Sequence, residues 1–327
     1  MFCINNQNTN PYFNLASEEY LLKNYEEDVF MLWRNEPSII IGKHQNALAE
    51  INIEYVKENH IKVVRRITGG GAVFHDLGNL NFTFISNSPN SKPVMNFKKY
   101  TQPIVDVLVN LGVDARFEGR NDIVIDGKKI SGNAECVYKN RFLHHGTILY
   151  SAHLPNLSSA LKVDPVKFQD KAVKSTCSRV ANVSEYLKKT IDIIQFRDLI
   201  FTHISQMYPE SKIYEFKPED ITYITNLQNS KYETWEWNFG NSPEYNFRKI
   251  VKTSGGFVEF DLMVEKGIIT SVKIFGDFFS SDEISEIESA LKGLPHEYSD
   301  VKQKLKEYEI ERYFNRASLD EVLEGIF

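Results

Sequence analysis

Residues 65–76 read Arg65-Arg66-Ile67-Thr68-Gly69-Gly70-Gly71-Ala72-Val73-Phe74-His75-Asp76, and no other segment constrains the architecture as strongly. Three successive glycines cost backbone entropy, so a fold uses them where a side chain cannot fit. Backbone N–H groups exposed in this way can receive an anion or a flat ligand, and the two preceding arginines supply bidentate donors. A plain tight turn between two strands is the alternative; the flanking arginines and histidine favour a ligand site.

The glycine segment matches neither common nucleotide-binding fingerprint. A Rossmann fingerprint would need glycine where Phe74 stands, and it would continue into a helix rather than a strand. The chain also has no GxxxxGK[ST] P-loop. A nucleotide, if one binds, must therefore be held by another architecture.

Turn signals around this segment predict a mixed sheet flanked by helices. Asn10-Pro11 is typical of an N-cap followed by the first helical residue, and Asp126-Gly127 is the favoured two-residue hairpin turn. The predicted strands run over 29–33, 38–41, 61–66, 81–85 and 142–150. Because most connections are hairpins rather than helical crossovers, we expect a fold between α+β and α/β with a hairpin-rich sheet.

The C-terminal part of the sequence has its own pattern. Residues 214–245 are the least regular, and a strand pair turning at Glu265-Lys266-Gly267 follows them. Capping-box spacing at Ser280 to Glu283 and at Ser318 to Glu321 predicts two helices. We therefore expect two domains, residues 1–248 and a small α+β accessory domain over residues 249–327.

Composition sets limits on the class of protein. The chain has 327 residues and a formal net charge of −6, which argues against a dedicated nucleic-acid binder. Cys3, Cys136 and Cys177 are an odd number without CxxC spacing, so neither a disulfide framework nor a thiolate zinc site is expected. The chain starts without a signal-peptide pattern and has no apolar run long enough to span a bilayer. We expect a soluble cytoplasmic protein, with no membrane partner and with the monomer as the default state.

Two further segments carry side chains suited to chemistry. Lys129 follows a predicted hairpin turn and could project into a cleft toward a phosphate, although two solvated lysines at a turn tip are the simpler interpretation. His144 and His145 are adjacent on a predicted strand and must point to opposite faces. Gly146 permits close approach beside His145, which keeps that histidine as a pocket candidate.

In these motifs the chain resembles the lipoate–protein ligases that salvage free lipoic acid. The resemblance extends over nearly the whole chain, in order and spacing. Its motifs are Asn14-Leu15-Ala16-x-Glu18-Glu19, Leu32-Trp33, the segment 65–79, Gly119-Arg120-Asn121-Asp122, Lys129-Ile130-Ser131-Gly132, His144-His145-Gly146-Thr147, Ser178-Arg179-Val180 and Trp235-Glu236-Trp237-Asn238-Phe239-Gly240.

The resemblance implies a catalytic domain of the biotin/lipoate ligase type and a two-step reaction. ATP and lipoate would give lipoyl-adenylate and pyrophosphate, with Mg²⁺ accompanying the ATP. The lipoyl group would then pass to one lysine of an acceptor. Acceptors in the family are the lipoyl domains of 2-oxoacid dehydrogenase E2 subunits and the glycine-cleavage H protein.

The resemblance also implies roles for individual residues. Lys129 is the expected catalytic residue, contacting the adenylate phosphate and the lipoyl carbonyl. The residues expected to bind ATP or the adenylate are Arg66, Gly70, Gly71, Ala72, Val73, Phe74, Asn121, Asp122 and Lys129, with Asp122 also a metal ligand. Those expected to line the lipoate pocket are Trp33, Thr68, His75, His145 and Gly146. The loop over residues 156–175 matches only loosely and is expected to close over the ligand.

Other functions remain possible on this fold. An ATP-independent octanoyl- or lipoyl-transferase would need a thiol near the active lysine, and the segment Ala115-Arg116-Phe117-Glu118 has none. A biotin ligase typically has a different glycine loop. A non-catalytic lipoate-binding homologue would not need to retain Lys129, Arg66 and the three glycines.

Overall fold

The computed structural model describes two compact units. Described are residues 1–43, 45, 47–88, 96–119, 121–155, 160–161, 180–240, 245–276, 278, 280, 282–314 and 316–327. The first unit comprises residues 1–43 and 50–234, and the second comprises residues 44–49 and 235–327. The division predicted between residues 248 and 249 stays a prediction. The loop expected over residues 156–175 lies almost entirely outside the described residues, as does Cys177.

The first unit contains two sheets. Its strands are β1 Phe2–Asn5, β2 Val29–Trp33, β3 Ser38–Ile41, β4 Lys62–Arg65, β5 Val73–His75, β6 Asn79–Asn87, β7 Ala115–Glu118, β8 Asp122–Ile125, β9 Lys128–Tyr138, β10 Arg141–Leu149 and β11 Lys212–Ile213. Eight of them form one sheet in the order β11-β1-β2-β6-β10-β9-β8-β7, and the others form a three-stranded sheet in the order β4-β3-β5. Parallel and antiparallel ladders both occur, so the mixed sheet predicted from the sequence is confirmed.

Helices cover the large sheet on both faces. In chain order the helices up to residue 234 are α1 Pro11–Asn24, α2 Ala47–Glu50, α3 Ile53–Glu58, α4 Phe97–Asn110, α5 Ile193–Met207 and α6 Pro218–Leu227; all belong to the first unit except α2, of which residues 47–49 belong to the second. The Asn10 side chain accepts a hydrogen bond from the Tyr12 N–H, with Pro11 as the first helical residue. This confirms the predicted start of α1. Gly112 has φ +81° just past α4, as expected of a glycine that ends a helix.

Strand alternation gives the large sheet two different faces. Residues directly opposite in an antiparallel ladder share a face, so Met31, Thr83 and His145, which pair across β2, β6 and β10, lie on one side. Their neighbours Phe30, Phe84 and His144 lie on the other side. The Phe30–Phe84 side packs on α4 and α5 as the main hydrophobic core. We call the Met31–Thr83–His145 side the site face.

The hairpin between β8 and β9 confirms the Asp-Gly turn. Asp126 has φ +49° and Gly127 has φ +70°, as a type I′ turn requires. Beyond the turn Val124 pairs with Lys129 whereas Ile123 pairs with Ser131, so Ile130 is an extra residue in the ladder. Such a bulge bends the strand and changes the direction of nearby side chains. Here it accompanies a buried Ile130 and a half-exposed Lys129.

The expectation that residues 214–245 are irregular was wrong. Pro218 begins α6, and helical turns continue over Gln228–Tyr232 and Glu236–Gly240. The Asp220 carboxylate accepts hydrogen bonds from the hydroxyls of Tyr20, Tyr25 and Tyr214 at 2.6–2.8 Å. Contacts of high sequence separation therefore stabilise this segment, which local propensity does not reveal.

The second unit is a small α+β structure. Strands β12 Tyr245–Thr253, β13 Gly256–Glu265 and β14 Ile268–Gly276 form an antiparallel sheet. Four helices described in this unit follow the sheet: α7 Ile284–Leu291, α8 Tyr298–Leu305, α9 Ile310–Phe314 and α10 Leu319–Ile326. A Cβ on Gly325 would lie 2.4 Å from Phe260, which shows how closely α10 packs on the sheet.

Only one of the two predicted capping boxes exists in the second unit. The Ser318 hydroxyl oxygen accepts a hydrogen bond from the Glu321 N–H, and the Glu321 carboxylate accepts one from the Ser318 N–H. The capping box predicted at Ser280 was wrong, because α7 begins after Glu283 without a side-chain cap. Within the described part of the chain, no helix combines the length and apolar character needed to cross a membrane.

Candidate functional site

Arg66 holds the glycine loop, residues 69–71, from inside the protein. Its guanidinium donates to the carbonyls of Gly69 at 2.6 Å, Gly71 at 2.8 Å and Ile40 at 3.1 Å. Burial lowers the pKa of Arg66 to about 10, and Glu18 partly opposes this shift, so the group remains cationic at neutral pH. In a trans peptide the N–H points opposite to the C=O. Because the Gly69 and Gly71 carbonyls face Arg66, the N–H groups of the same two peptides, which belong to Gly70 and Ala72, point away from it.

The three glycines meet different surroundings. Gly70 has φ +95°, and a Cβ there would lie 2.9 Å from the Arg66 guanidinium. A Cβ on Gly69 or Gly71 would have no described atom within 4 Å. The fold therefore requires glycine at position 70, and the space in front of positions 69 and 71 is open to a ligand.

The predicted loop extends into β5, where side chains alternate. Val73 is half-buried, Phe74 is buried, and His75 is 3 % exposed on the opposite side of the strand from Phe74. The Phe74 side chain is buried in the interior. The contact with an adenylate that the resemblance implies for residues 71–74 would therefore be made by their backbone. Arg65, expected to supply charge, instead donates to the carbonyls of Gly42 and Lys43 from a buried position.

A buried hydrogen-bonded chain crosses the site face and ends at the glycine loop. Trp33 Nε1 donates to Thr83 Oγ1 at 2.8 Å, and Thr83 Oγ1 donates to Glu18 Oε1 at 2.6 Å. His145 Nδ1 lies 3.0 Å from both Glu18 oxygens, and its Nε2 lies 2.7 Å from Thr68 Oγ1. Arg66 Nε donates to the same Thr68 oxygen at 3.0 Å. We call this chain the relay; its members are Trp33, Thr83, Glu18, His145, Thr68 and Arg66.

The relay has a consistent direction. The Glu18 carboxylate can only accept, so His145 Nδ1 carries a proton, and with the second nitrogen unprotonated Nε2 accepts from Thr68. Thr68 in turn accepts from Arg66, which is always a donor. Every donor in the chain thus meets an acceptor, as a buried polar network requires. Trp33, Thr68 and His145, predicted as pocket residues, are therefore brought together with Arg66.

Lys129 lies on an open part of the β8–β9 hairpin. Its Nζ is 2.8 Å from Asp122 Oδ1, an ion pair with about a third of each side chain exposed. A Cβ on Gly132 would lie 3.1 Å from the Lys129 Cε and Nζ, so the glycine makes room for this side chain. Lys128, its neighbour, is exposed at the turn. Lys129 has an ion-pair partner and space provided by Gly132, whereas Lys128 is solvent-exposed. This difference favours a functional role for Lys129 over two solvated lysines.

Asn121 is positioned by Asn133 rather than by solvent. Asn121 Nδ2 donates to the Asn133 carbonyl at 2.6 Å, and Asn133 Nδ2 donates back to the Asn121 carbonyl at 3.0 Å. This exchange fixes the backbone beside Asp122. Asn133 lies on the core face, however, and its Oδ1 is 3.1 Å from Nε2 of His144.

The two histidines of β10 do point to opposite faces, as predicted. His144 packs among Phe82, Phe97 and Tyr100, and its Nδ1 lies 2.9 Å from Glu135. Burial lowers the pKa of His144, with Glu135 acting in the opposite sense. A Cβ on Gly146 would lie 2.1 Å from Asn133 and 2.4 Å from Phe82. The close approach that Gly146 permits is therefore made by the protein's own core, and we assign Gly146 a packing role.

Glu18 and Thr83 are central to the relay and were not among the predicted site residues. Glu18 is 1 % exposed on α1, within the motif Asn14-Leu15-Ala16-x-Glu18-Glu19. An acidic residue in the middle of an otherwise apolar helix face was the signal that could have identified it, because buried carboxylates need partners. Thr83 gave no such signal, since threonine is common in strands.

The remaining candidates for metal or thiol chemistry have little support. Among the residues that the structure describes, no three His, Cys, Asp or Glu side chains are grouped as a metal site. Burial raises the pKa of Cys136 to about 12, so this thiol is protonated at neutral pH. A protonated, largely buried thiol of this kind is a poor nucleophile.

Comparison with protein-family models decides the family. The model "Lipoyl protein ligase A/B catalytic domain" matches residues 10–205, and "Bacterial lipoate protein ligase C-terminus" matches residues 242–326. The chain belongs to the lipoate–protein ligase family. The family predicted from the motifs is thereby confirmed, together with its enzymatic class.

Curated relatives agree over the full length. Lipoate–protein ligase 1 of Staphylococcus aureus is 43 % identical over 326 residues, covering 98 % of both chains. The Bacillus subtilis lipoate-protein ligase LplJ is 42 % identical over 332 residues, covering 100 % of both chains.

Solved structures of the family share the fold. A lipoate-protein ligase A bound with ATP has a TM-score of 0.64 and 30 % identity, covering 73 % of this chain and 98 % of that one. A bipartite lipoate protein ligase of Thermoplasma acidophilum, studied with its E2 lipoyl domain, has a TM-score of 0.62 and 32 % identity, covering 75 % and 97 %. A T. acidophilum protein with bound lipoic acid has a TM-score of 0.62 and 28 % identity, covering 73 % and 98 %. The predicted fold class is confirmed.

Proposed function

We propose that this ligase activates free lipoate with ATP and transfers the lipoyl group to a lysine of an acceptor domain. The observation that carries the proposal is the arrangement of the glycine loop. Arg66 draws the Gly69 and Gly71 carbonyls inward, while no described atom lies within 4 Å of a Cβ built on either glycine. A loop held in this way presents N–H groups and no side-chain bulk to a flat anionic ligand such as an adenylate.

Lys129 is proposed as the catalytic residue of the activation step. Attack of the lipoate carboxylate on the α-phosphate forms a mixed anhydride and releases pyrophosphate, and negative charge develops on the phosphate oxygens. An ammonium beside that phosphorus stabilises this charge. Lys129 Nζ is paired with Asp122 at 2.8 Å yet a third exposed, so a phosphate can compete for it.

The adenylate would be held by both sides of the site. Arg66 and the backbone of Gly70, Gly71, Ala72, Val73 and Phe74 form one side in this proposal. Asn121 and Asp122 form the other, next to Lys129. The Asn121–Asn133 exchange of hydrogen bonds keeps that second side rigid, which lowers the cost of ordering it on binding.

Magnesium is proposed to enter with ATP, with Asp122 as its protein ligand. Mg²⁺ is usually held by one or two carboxylates and by the substrate phosphates. Asp122 Oδ1 already pairs with a cation, the Lys129 ammonium at 2.8 Å, which suits a carboxylate that would bind a metal ion. A bound Mg²⁺ would neutralise phosphate charge, and Lys129 would then be released from Asp122.

The lipoyl chain is proposed to lie along the site face. Trp33, Thr68, His75 and His145 would form its walls, with Gly146 behind His145. An acyl-adenylate is sensitive to water, so a closed pocket protects it before transfer. The acceptors proposed are lipoyl domains of 2-oxoacid dehydrogenase E2 subunits and the glycine-cleavage H protein, and the enzyme is proposed to act as a cytoplasmic monomer.

Lipoate-dependent exchange between ATP and labelled pyrophosphate tests the activation step directly. We expect exchange with lipoate and ATP present and none when lipoate is omitted. Transfer from an octanoylated carrier protein without any exchange would instead establish an ATP-independent transferase. The protonated state of Cys136 supports the ligase over that alternative.

A further inference from the structure

One buried donor of the site has no acceptor among the residues that the structure describes. His75 is 3 % exposed, and its Nε2 has no hydrogen-bond partner among the described residues. Buried polar groups are nearly always paired, and an unpaired one is a cost that needs an explanation. On the site face, Asn79 Oδ1 and Asn81 Nδ2 are also buried and unpartnered. His75 is the member of this group whose proton can be placed with certainty.

A chain of amides fixes the tautomer of His75. Asn14 Nδ2 donates to the carbonyls of Asn8 and Arg34, which can only accept, so the orientation of the Asn14 amide is determined. The same nitrogen lies 2.9 Å from Asn35 Oδ1. An amide nitrogen cannot accept, so the Asn35 atom facing it is the oxygen, and Asn35 Nδ2 points toward His75. Asn35 Nδ2 then donates to His75 Nδ1 at 3.1 Å. Because Nδ1 is the acceptor, the proton of the neutral ring is on Nε2.

The ring stays neutral at physiological pH. Burial lowers the pKa of His75 to about 3, and the positive charge of Arg66 acts in the same direction. His75 therefore offers one N–H donor and no charge. A charged ligand group gains little from it compared with Arg66 or Lys129, whereas a weak neutral acceptor in an apolar pocket is well matched.

The position of His75 indicates which part of the ligand it would meet. It lies four positions after Gly71, a span of up to about 13 Å in extended chain, which is comparable with the length of an extended eight-carbon acyl chain. Its ring lies 6.2 Å from that of Trp33 in edge geometry. With the phosphate at the glycine loop, the far end of the acyl chain reaches Trp33 and His75.

We propose that His75 Nε2–H donates to a dithiolane sulfur of lipoate and thereby selects lipoate over octanoate. This rests on the proposed function. Thioether-like sulfur is a weak acceptor, but it is better than a methylene group, which leaves the buried donor unpaired. Sites with a buried polar group discriminate against analogues that lack its partner. His75 thus discriminates by a hydrogen bond to the sulfur atom, and not only by the size of the ring.

The test compares ligands that differ only in the sulfur atoms. Lipoate, octanoate and 5-cyclopentylpentanoate, in which methylenes replace both sulfurs, are compared by kcat/KM in ATP–pyrophosphate exchange. We expect wild type to prefer lipoate over the carbocycle by roughly tenfold, the scale of one modest hydrogen bond. His75→Phe should bring that ratio to within about twofold. An unchanged ratio in His75→Phe overturns the proposal.

Trp33→Phe is the matched control for pocket shape. It alters the volume beside His75 and removes the bond to Thr83, but it leaves the His75–Asn35 contact in place. We expect the ratio of kcat/KM for lipoate to kcat/KM for 5-cyclopentylpentanoate to stay at its wild-type value in this variant, even if kcat/KM for octanoate rises. An equal fall of the ratio in both variants would assign the selectivity to shape and overturn the proposal.

A spectroscopic readout needs no variant. The Nε2 proton of His75 is buried, so its exchange with solvent is slow enough to follow in ¹⁵N-labelled wild type. Lipoate should shift this resonance downfield, and the carbocycle should not; equal shifts overturn the proposal. If wild type shows no lipoate-dependent exchange between ATP and pyrophosphate, the proposed function fails instead, so the two failures are distinguishable.

Discussion

Nδ1 of His145 lies 3.0 Å from each carboxylate oxygen of Glu18, in the middle of the buried relay. This contact gives the relay its direction, since Glu18 can only accept. It places a proton of His145 on Nδ1, and with one proton on the ring Nε2 accepts from the Thr68 hydroxyl. The position of Arg66, and with it the glycine loop, depends on this ordering.

Glu18→Gln should disturb the relay without changing its size. The new amide places an N–H₂ group against His145 Nδ1, where two donors face each other. If the ring changes tautomer to relieve this, the Thr68 hydroxyl loses its acceptor. We expect a loss of about 1–3 kcal/mol in unfolding free energy and a rise of roughly tenfold in the KM for lipoate, measured by urea unfolding and pyrophosphate exchange.

Glu19→Gln is the control for this change, because it alters the same charge one residue later. Glu19 binds Lys23, Lys231 and Tyr232, each at 2.6 Å, and makes no bond to the relay. Its replacement should lower stability but leave the lipoate KM within about twofold. Equal effects of both substitutions on KM would show that the relay does not order the site.

Lys129→Ala should abolish activation while the protein stays folded. A partly exposed turn lysine contributes little stability, and its ion pair with Asp122 is worth at most about 1 kcal/mol. We expect pyrophosphate exchange to fall at least a hundredfold, with an unfolding midpoint close to that of wild type. Lys128→Ala, on the exposed neighbour, should retain near-normal exchange. Normal exchange by Lys129→Ala would remove its assigned role.

Helix starts, turns, strand alternation and the position of the glycine loop could be predicted from the sequence, because each depends on short-range signals. Asn10-Pro11, Asp126-Gly127 and the alternation around His144-His145 each act over a few residues and were confirmed. Helix α6 was missed, since two of the three tyrosine hydroxyls that hold its Asp220, those of Tyr20 and Tyr25, come from a distant segment. Long-range pairing of this kind leaves no periodic trace in the sequence.

The candidate site was predicted as a set of residues, not as a network. The resemblance brought Arg66, Thr68 and His145 together, and the structure connects them. It did not indicate that Glu18 orders them or that Gly146 is required by Asn133 and Phe82. Which group a glycine makes room for depends on tertiary contacts, and a sequence motif cannot distinguish a ligand from a neighbouring side chain.

His75 should make the protein less stable in mild acid. Its pKa is about 3 in the folded state and near 6.5 in the unfolded chain, so only the unfolded chain takes up the proton between these values. Stability is unaffected above pH 6.5 and falls by up to about 1.4 kcal/mol per pH unit below it. His75→Asn keeps an acceptor for Asn35 and has no such proton.

The measurement is urea unfolding of wild type and His75→Asn at pH 7.5, 6.0 and 5.0. The difference in unfolding free energy should move in favour of the variant by about 2 kcal/mol between pH 7.5 and 5.0. His144 also has a lowered pKa, but both proteins retain it, so its contribution cancels. Parallel pH profiles would show that His75 is not a buried neutral group.

Alanine at positions 70 and 71 separates the two uses of glycine in the loop. Gly70→Ala places a Cβ 2.9 Å from the Arg66 guanidinium at φ +95°, so it should cost at least about 1 kcal/mol of stability. Gly71→Ala meets no described atom within 4 Å, so the fold should tolerate it. Its methyl group enters the open space before the loop, where the adenylate is proposed to lie.

We therefore expect Gly71→Ala to unfold at the wild-type midpoint and yet to lose at least tenfold in exchange activity through a higher KM for ATP or lipoate. Gly70→Ala should lose stability first, and its activity should follow the folded fraction. Full activity in folded Gly71→Ala would mean that no ligand approaches this face of the loop. Within this loop the fold requires glycine only at position 70. If Gly71→Ala weakens ligand binding without lowering stability, the substrate is what requires glycine at position 71.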